Sequence, residues 1–396
     1  INVYESTVSL IANARSLFQR PFTEKLVPYK NVGDLLQTQC AANPAKNWLT
    51  FLDDGESVTT FSYSEFLELT SRLSSYMKYE LNLGPGSRIA TMSINDYRTV
   101  IVYYAAWILG ACVVPINCGE DPDRIQFILD NANVELVFCA TDQIVKASHL
   151  QKSSKVSFDI IQYGDDNESS YCQFDAVMRK VAKPIESDAT LDSEALIVYT
   201  SGTTGAPKGV VLDQYNLLAD AKSITEWNKF TSEDRAMCVL PIHHVNGTIV
   251  TIVTPMYHGG SLVLNRRFKA HGFWNNLAEQ KCTWVSVVPT ILAFLSELKS
   301  DITILDLTNF RHIICGAGPL TVELAQRFHY IFGVRIVHGY GLSETTCYSC
   351  FIPIDLSDAE YSQWMFECGF PSIGCAVEAN EMDIQTEDGK SLGENE

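Results

Sequence analysis

Along this chain, stretches with an apolar residue every three to four positions alternate with short runs that are apolar throughout. Ser62 and Glu65 form a capping box, and Phe66, Leu69, Leu73, Tyr76 and Met77 follow on one face, so a helix is predicted to run to about Leu81. Gly84-Pro85-Gly86 then turns the chain. Next come a strand at 88–93, a helix at 96–109, a strand at 112–116, a helix at 122–131 and a strand at 134–139. The polar run 164–170 reads as a surface loop or a subdomain seam near 164–194. Strands resume at 195–199, 237–240, 261–264, 284–288, 311–315 and 334–337, with helices at 214–227, 273–281, 289–299 and 320–332. Strands separated by helices are βαβ units, so the fold class is α/β: two doubly wound, mainly parallel sheets with flanking helices and ligands at the carboxyl ends of strands.

The most apolar stretch, Thr99–Ile116, is long enough to raise a membrane span. Gly110 and Pro115 interrupt it, and a buried helix followed by a buried strand explains it better. Residues 1–22 mix Glu5, Arg15 and Arg20 with apolar residues and read as no signal peptide; the chain opens on Ile1, which hints at trimming.

Composition narrows the class. With 396 residues, 46% of them apolar and 19% charged, the chain is globular with a sizeable core of two or three folding units, not a disordered tail or a low-complexity fibre. Its 29 Lys and Arg against 47 Asp and Glu leave a net charge of −18, without a run of five basic residues. Phosphate backbones and anionic membranes repel such a surface, so no nucleic-acid partner is expected and any bound anion must be held by local groups. Twelve scattered cysteines suit a reduced, cytoplasmic protein. Cys347 and Cys350 form the one CxxC, with Cys368 and Cys375 downstream; no second short pair follows, which favours small buried hydrophobes over a zinc site.

One local device for an anion stands out. After the strand ending at Tyr199 come Thr200, Ser201, Gly202, Thr203, Thr204, Gly205, Ala206, Pro207, Lys208 and Gly209. The glycines let successive N–H groups converge, the hydroxyls donate, and Lys208 adds a point charge, a combination suited to polyphosphate. It is not a Walker A loop, because Gly209 stands where that motif needs Ser or Thr. The alternative is a turn joining two strands, against which the loop's length argues.

The segment Tyr199–Val210, YTSGTTGAPKGV, resembles the signature of the adenylate-forming superfamily: acyl- and aryl-CoA synthetases, firefly-luciferase-like enzymes and the adenylation domains of nonribosomal peptide synthetases. Leu109–Ile116 (LGACVVPI), Leu240–Gly247 (LPIHHVNG), Gly316–Leu320 (GAGPL) and His338–Thr345 (HGYGLSET) resemble four further segments of that family. The resemblance implies that residues 1–396 form the large N-terminal domain, with a smaller β subdomain. It also implies a reaction in which a carboxylate and ATP give acyl-AMP and pyrophosphate, the acyl group then passing to the thiol of CoA or of a carrier protein's phosphopantetheine. Thr200 to Lys208 would cradle the β- and γ-phosphates, and Glu344 would hold Mg²⁺. Gly316, Ala317, Gly318 and Pro319 would wall one side of the adenine, and His338, Gly339, Tyr340, Gly341, Leu342 and Ser343 the other.

By the same resemblance His244 is the gate of the acid pocket. Family members that select α-amino acids place Asp at the next position, to pair with the substrate's ammonium; Val245 has no charge to offer. The other implied liners, Asn246, Gly247, Cys315, Gly316, Gly341 and Leu342, are small or uncharged. They suit a fatty or aromatic acid, and the glycines are expected to leave room for its tail. Two other readings stay open: an amino-acid adenylation domain, and a nucleotide- or acyl-binding module without turnover. The family continues past Leu392-Gly-Glu-Asn-Glu396 to a mobile lid with a catalytic lysine, so residues 1–396 alone are expected to adenylate poorly.

Overall fold

The computed structural model describes residues 24–54, 57–164, 169–185, 187–200, 206–298 and 300–393. Strands β1 (Asn47–Asp53) and β2 (Ser57–Ser62) form a hairpin; β3 (Arg88–Met92), β4 (Cys112–Ile116), β5 (Leu136–Cys139), β6 (Asp159–Gln162) and β7 (Cys172–Gln173) follow. The chain continues through β8 (Glu194–Thr200), β9 (Lys208–Asp213), β10 (Arg235–Cys238), β11 (Ser261–Asn265), β12 (Trp284–Val287), β13 (His312–Cys315), β14 (Ile336–Tyr340), β15 (Cys350–Phe351) and β16 (Cys375–Ala376). These build a seven-stranded sheet in the order β7-β6-β5-β3-β4-β8-β9 and a nine-stranded sheet in the order β16-β15-β14-β13-β12-β10-β11-β1-β2. In the first, β8 and β9 alone pair antiparallel; in the second, antiparallel pairing is confined to the edges. The mainly parallel α/β architecture read from the alternation is therefore present. The additional β structure takes the form of β15 and β16 on the edge of the larger sheet and a Gln385–Ser391 bridge. Strands on both sides of 164–194 pair in one sheet, β4 with β8 through Val113 and Leu196.

Parallel strands covered by helices on both faces must be apolar on both, and β3 shows it: Ile89 belongs to one buried cluster and its neighbour Ala90 to the other. Helix Tyr63–Tyr79 starts at the anticipated capping box, Ser62 accepting from Glu65 N–H while Glu65 reaches back. Thr99–Ile116 resolves into helix Tyr97–Leu109, a left-handed Gly110 at φ 73°, and β4. No helix among the described residues is long and apolar enough to cross a membrane.

Several elements escaped the periodicity, among them helix Val32–Ala42, the β1–β2 hairpin, helix Ile144–Ser153 and strands β6 and β9. Another matters more for the site: Asn246–Val253 is wound as a π-helix, the Thr254 N–H reaching back to the Ile249 carbonyl, and continues into an α-turn at Thr254–Tyr257. Such wide turns cluster at functional sites.

Candidate functional site

A cleft of about 1030 Å³ opens where strands of the two sheets end. One end is formed by Ala317, Gly318, Pro319 and Leu320 after β13 and by His338 to Glu344 at and after β14. Thr200, the last residue of β8, borders it. The other end is formed by Leu240 and Pro241, by His244, Val245 and Asn246 at the start of the π-helix, and by Val288, Cys347 and Tyr348.

Two strained residues shape these walls. Ala317 lies at φ 60°, in the region that favours glycine, turning the chain sharply after β13. Thr346, a β-branched residue, lies at φ 73° and ψ −63°, and the Cys347 N–H donates to the Thr345 carbonyl two residues back at 3.0 Å. That is a γ-turn of the strained hand, and it sends Cys347 and Tyr348 under the cleft directly after Glu344.

The segment 240–244 is held from the other sheet. Asn95 donates to the Leu240 and Asn265 carbonyls at 2.9 and 3.0 Å and accepts from the Ile242 N–H at 2.9 Å. The Tyr103 hydroxyl donates to the Ile242 carbonyl at 3.0 Å. His243 and His244 thus sit on a braced turn, and burial lowers both: His243 is pushed down to about 3, His244 below the ordinary histidine value. Both are neutral at pH 7.

His338 is lowered by burial too, and its Nδ1 lies 2.8 Å from the Ser372 carbonyl. A carbonyl only accepts, so Nδ1 carries the proton and Nε2 keeps a lone pair. Tyr340 is 42% exposed, its ring free to cover a planar ligand. Glu344 is exposed at the rim, and no described residue pairs with its carboxylate.

Of the residues expected from sequence, Thr200, His244, Val245, Ala317, Gly318, Pro319, His338, Gly339, Tyr340, Gly341, Leu342, Ser343 and Glu344 line this cleft. Ser201 to Gly205 lie outside the described residues. Lys208 is exposed at the start of β9, paired across the hairpin with Thr200. The loop does join two antiparallel strands, contrary to the reading from its length; it is the connection 201–207 of a hairpin whose last pair brings Lys208 beside Thr200.

Gly247, Cys315 and Gly316 do not contribute to the described wall, and Cys315 is fully buried. The room expected over the glycines is occupied by the protein. A methyl on Gly247 would collide with the Pro241 oxygen, on Gly316 it would stand 2.6 Å from Tyr348 Oη, and on Gly341 it would collide with the Cys347 oxygen. These glycines let the chain pack on itself. Sequence reasoning missed Tyr348 and Ser286. Tyr348 lies only four residues beyond Glu344, and that proximity was the available signal. Cys347 and Cys350 are buried and Cys368 and Cys375 exposed; no group of three or more His, Cys, Asp or Glu among the described residues is placed to hold a metal.

The chain belongs to the AMP-binding enzyme family, whose model matches residues 36–396, and so to the adenylate-forming superfamily. It is similar to the sulfoacetate–CoA ligase of Cupriavidus necator, 29% identical over 83% of this chain and 62% of that one. It is also similar to the oxalate–CoA ligase of Arabidopsis thaliana, 26% identical over 72% of this chain and 56% of that one. The chain thus spans about three-fifths of the length of these curated relatives. Among solved structures, the anthranilate CoA ligase AuaEII in complex with anthranoyl-AMP matches with a TM-score of 0.82 at 20% identity, over 94% of this chain and 69% of the other. The N-terminal domain of FACL13 from Mycobacterium tuberculosis matches with a TM-score of 0.79 at 21% identity, over 92% and 86%. At that identity the likeness establishes the shared fold.

Proposed function

We propose that this chain is the large domain of an acid–thiol ligase, binding ATP and a monocarboxylic acid with an uncharged fatty or aromatic tail. The observation that carries this is one cleft that holds both Tyr340, Glu344 and His338 and, at its other end, His244, Val245 and Asn246. In the first step a carboxylate oxygen attacks the α-phosphorus in line; the new P–O bond forms as the bond to the bridging oxygen breaks, and pyrophosphate leaves with that electron pair. The protein's part is placement and charge. Tyr340 covers the adenine, and His338 Nε2 accepts from its 6-amino group, a contact guanine cannot make. Thr200 and Lys208 flank the phosphates. Neutral His244 donates one N–H to the acid's carboxylate without fixing it as a tight ion pair.

Glu344 fits Mg²⁺, which binds through one or two carboxylates with phosphate oxygens and waters and needs no dedicated protein cage; the ion would neutralise phosphate charge. The acyl group of acyl-AMP then goes to a thiol, of CoA or of phosphopantetheine on a carrier protein. Sulfoacetate and oxalate carry a second acidic group, for which a buried counter-charge is needed. No Lys or Arg is among the described wall residues, which favours an uncharged tail here.

The test is pyrophosphate release by the natural protein with fatty, aryl and amino acids, alongside Lys208→Ala and Glu344→Ala. Release with fatty or aryl acids, lost in both variants, is expected. Release with amino acids alone, or variants with unchanged ATP binding and acyl-hydroxamate formation, overturns the reading.

A further inference from the structure

Tyr348 belongs to none of the segments by which the chain is recognised, yet it forms the floor of the cleft. We infer that Tyr348, with Asn246 and Ser286, closes the acid end and selects a compact monocarboxylic acid, aryl-sized or smaller, that carries an uncharged oxygen acceptor at its far end. This rests on the carboxylate-activating reading above and names its substrate class.

The first support is position. The Tyr348 ring is buried, its edge against Gly316, where a methyl would meet Oη at 2.6 Å and Cε1 at 2.7 Å. Its other side packs on Phe351 with centroids 4.4 Å apart, and its backbone N–H donates to Asp220 Oδ2 at 3.3 Å. A long alkyl tail would have to displace a ring wedged between a glycine and the core, and close-packed interiors resist that.

The second support is an ordered set of donors. The Ser286 hydroxyl donates to Asn246 Oδ1 at 2.7 Å, which fixes the amide, and Asn246 Nδ2 donates to Tyr348 Oη at 3.4 Å. An amide nitrogen has two protons. One therefore goes to Tyr348; the second belongs to a residue that lines the cleft, and the Tyr348 hydroxyl, held between Asn246 and Ser286, lies beside it. All three side chains are buried. A buried donor facing an apolar tail goes unpaired, whereas a tail oxygen satisfies it. Charge is the third support. The wall has no described Lys or Arg and its histidine is neutral, so an anionic tail would be stranded.

The experiment titrates the natural protein, Tyr348→Phe and Tyr348→Ala with non-hydrolysable acyl-sulfamoyl adenosines bearing 4-hydroxybenzoyl, benzoyl or dodecanoyl tails, reading Kd by calorimetry. The unsubstituted protein is expected to bind the 4-hydroxybenzoyl analogue roughly tenfold tighter than the benzoyl one, the cost of one unpaired buried donor, and the dodecanoyl analogue weakest. Tyr348→Phe should shrink the hydroxyl's advantage and keep the dodecanoyl tail out. Tyr348→Ala should admit the dodecanoyl tail, with affinity raised roughly tenfold. Should the alanine variant not fold, the phenylalanine variant decides alone. An unsubstituted protein that prefers the dodecanoyl tail, or a Tyr348→Phe variant with an undiminished hydroxyl advantage, overturns the inference. If no analogue binds any variant, the ligase reading itself fails.

Discussion

The end of the cleft assigned to the nucleotide is rich in small residues, the Ala317-Gly318-Pro319 turn with Gly339 and Gly341, and Tyr340, Leu342 and Glu344 are its exposed side chains. At the end assigned to the acid, Asn246 and Tyr348 line the cleft bonded to each other, with Ser286 bonded to Asn246 behind them and a turn braced by Asn95 and Tyr103 alongside. A wall of small residues leaves little for substitution to change, whereas a wall of interlocked side chains is a statement about one ligand's shape. On the proposed reading the first end serves the reaction and the second the choice of substrate.

Substitutions should divide along that line. Glu344→Gln removes the carboxylate assigned to the phosphate-bound metal, and kcat should fall for every acid by roughly a hundredfold or more; a loss confined to some acids would blur the two ends. His338→Leu deletes the adenine acceptor, so the preference for ATP over GTP should drop by roughly tenfold while the order of acids stays unchanged. Initial rates with both nucleotides check it.

Acid probes the other end. The fold keeps His243 neutral down to about 3, while the unfolded histidine titrates near 6.5, so the stability it contributes is complete above pH ~6.5 and drains away as pH falls toward 3. Urea unfolding at pH 7.0 and 5.5 should cost the unsubstituted protein about 1 kcal/mol more than His243→Gln; equal losses would place the titration elsewhere. The smallest effect is expected where the two ends join. Thr346→Gly relieves the strained γ-turn and should raise stability by up to about 1 kcal/mol, while loosening Tyr348 and with it discrimination among acids. Thermal melts and the analogue titrations together read both.

The same division governs how much was legible beforehand. The capped helix at Ser62 and strand β4 are written locally, in a hydroxyl three residues before a glutamate and in a run of buried apolar residues. Glu344 and Tyr340 were visible because their segment keeps a recognisable order. The β1–β2 hairpin had a signal in Asp54-Gly55, a pair that favours tight turns, which a search for longer periods passes over. Tyr348 had only its nearness to Glu344 to mark it. Its place depends on Thr346 adopting a positive φ and on Gly316 lacking a side chain thirty-two residues away, contacts that no local pattern records. The glycines misled for the same reason: a missing side chain says that something approaches, and the approaching group here is the chain itself.

The wide winding at Asn246–Val253 has a consequence for how this pocket changes over generations. A π-turn holds one residue more than the α-turn that would replace it, so it is a stored insertion. Deleting a single residue between Thr248 and Val253 would let the segment return to ordinary winding while the residues on either side keep their faces. Asn246 would stay in the cleft, linked to Ser286 and Tyr348, so a lineage carrying this helix can lose that residue without changing which side chains form the pocket.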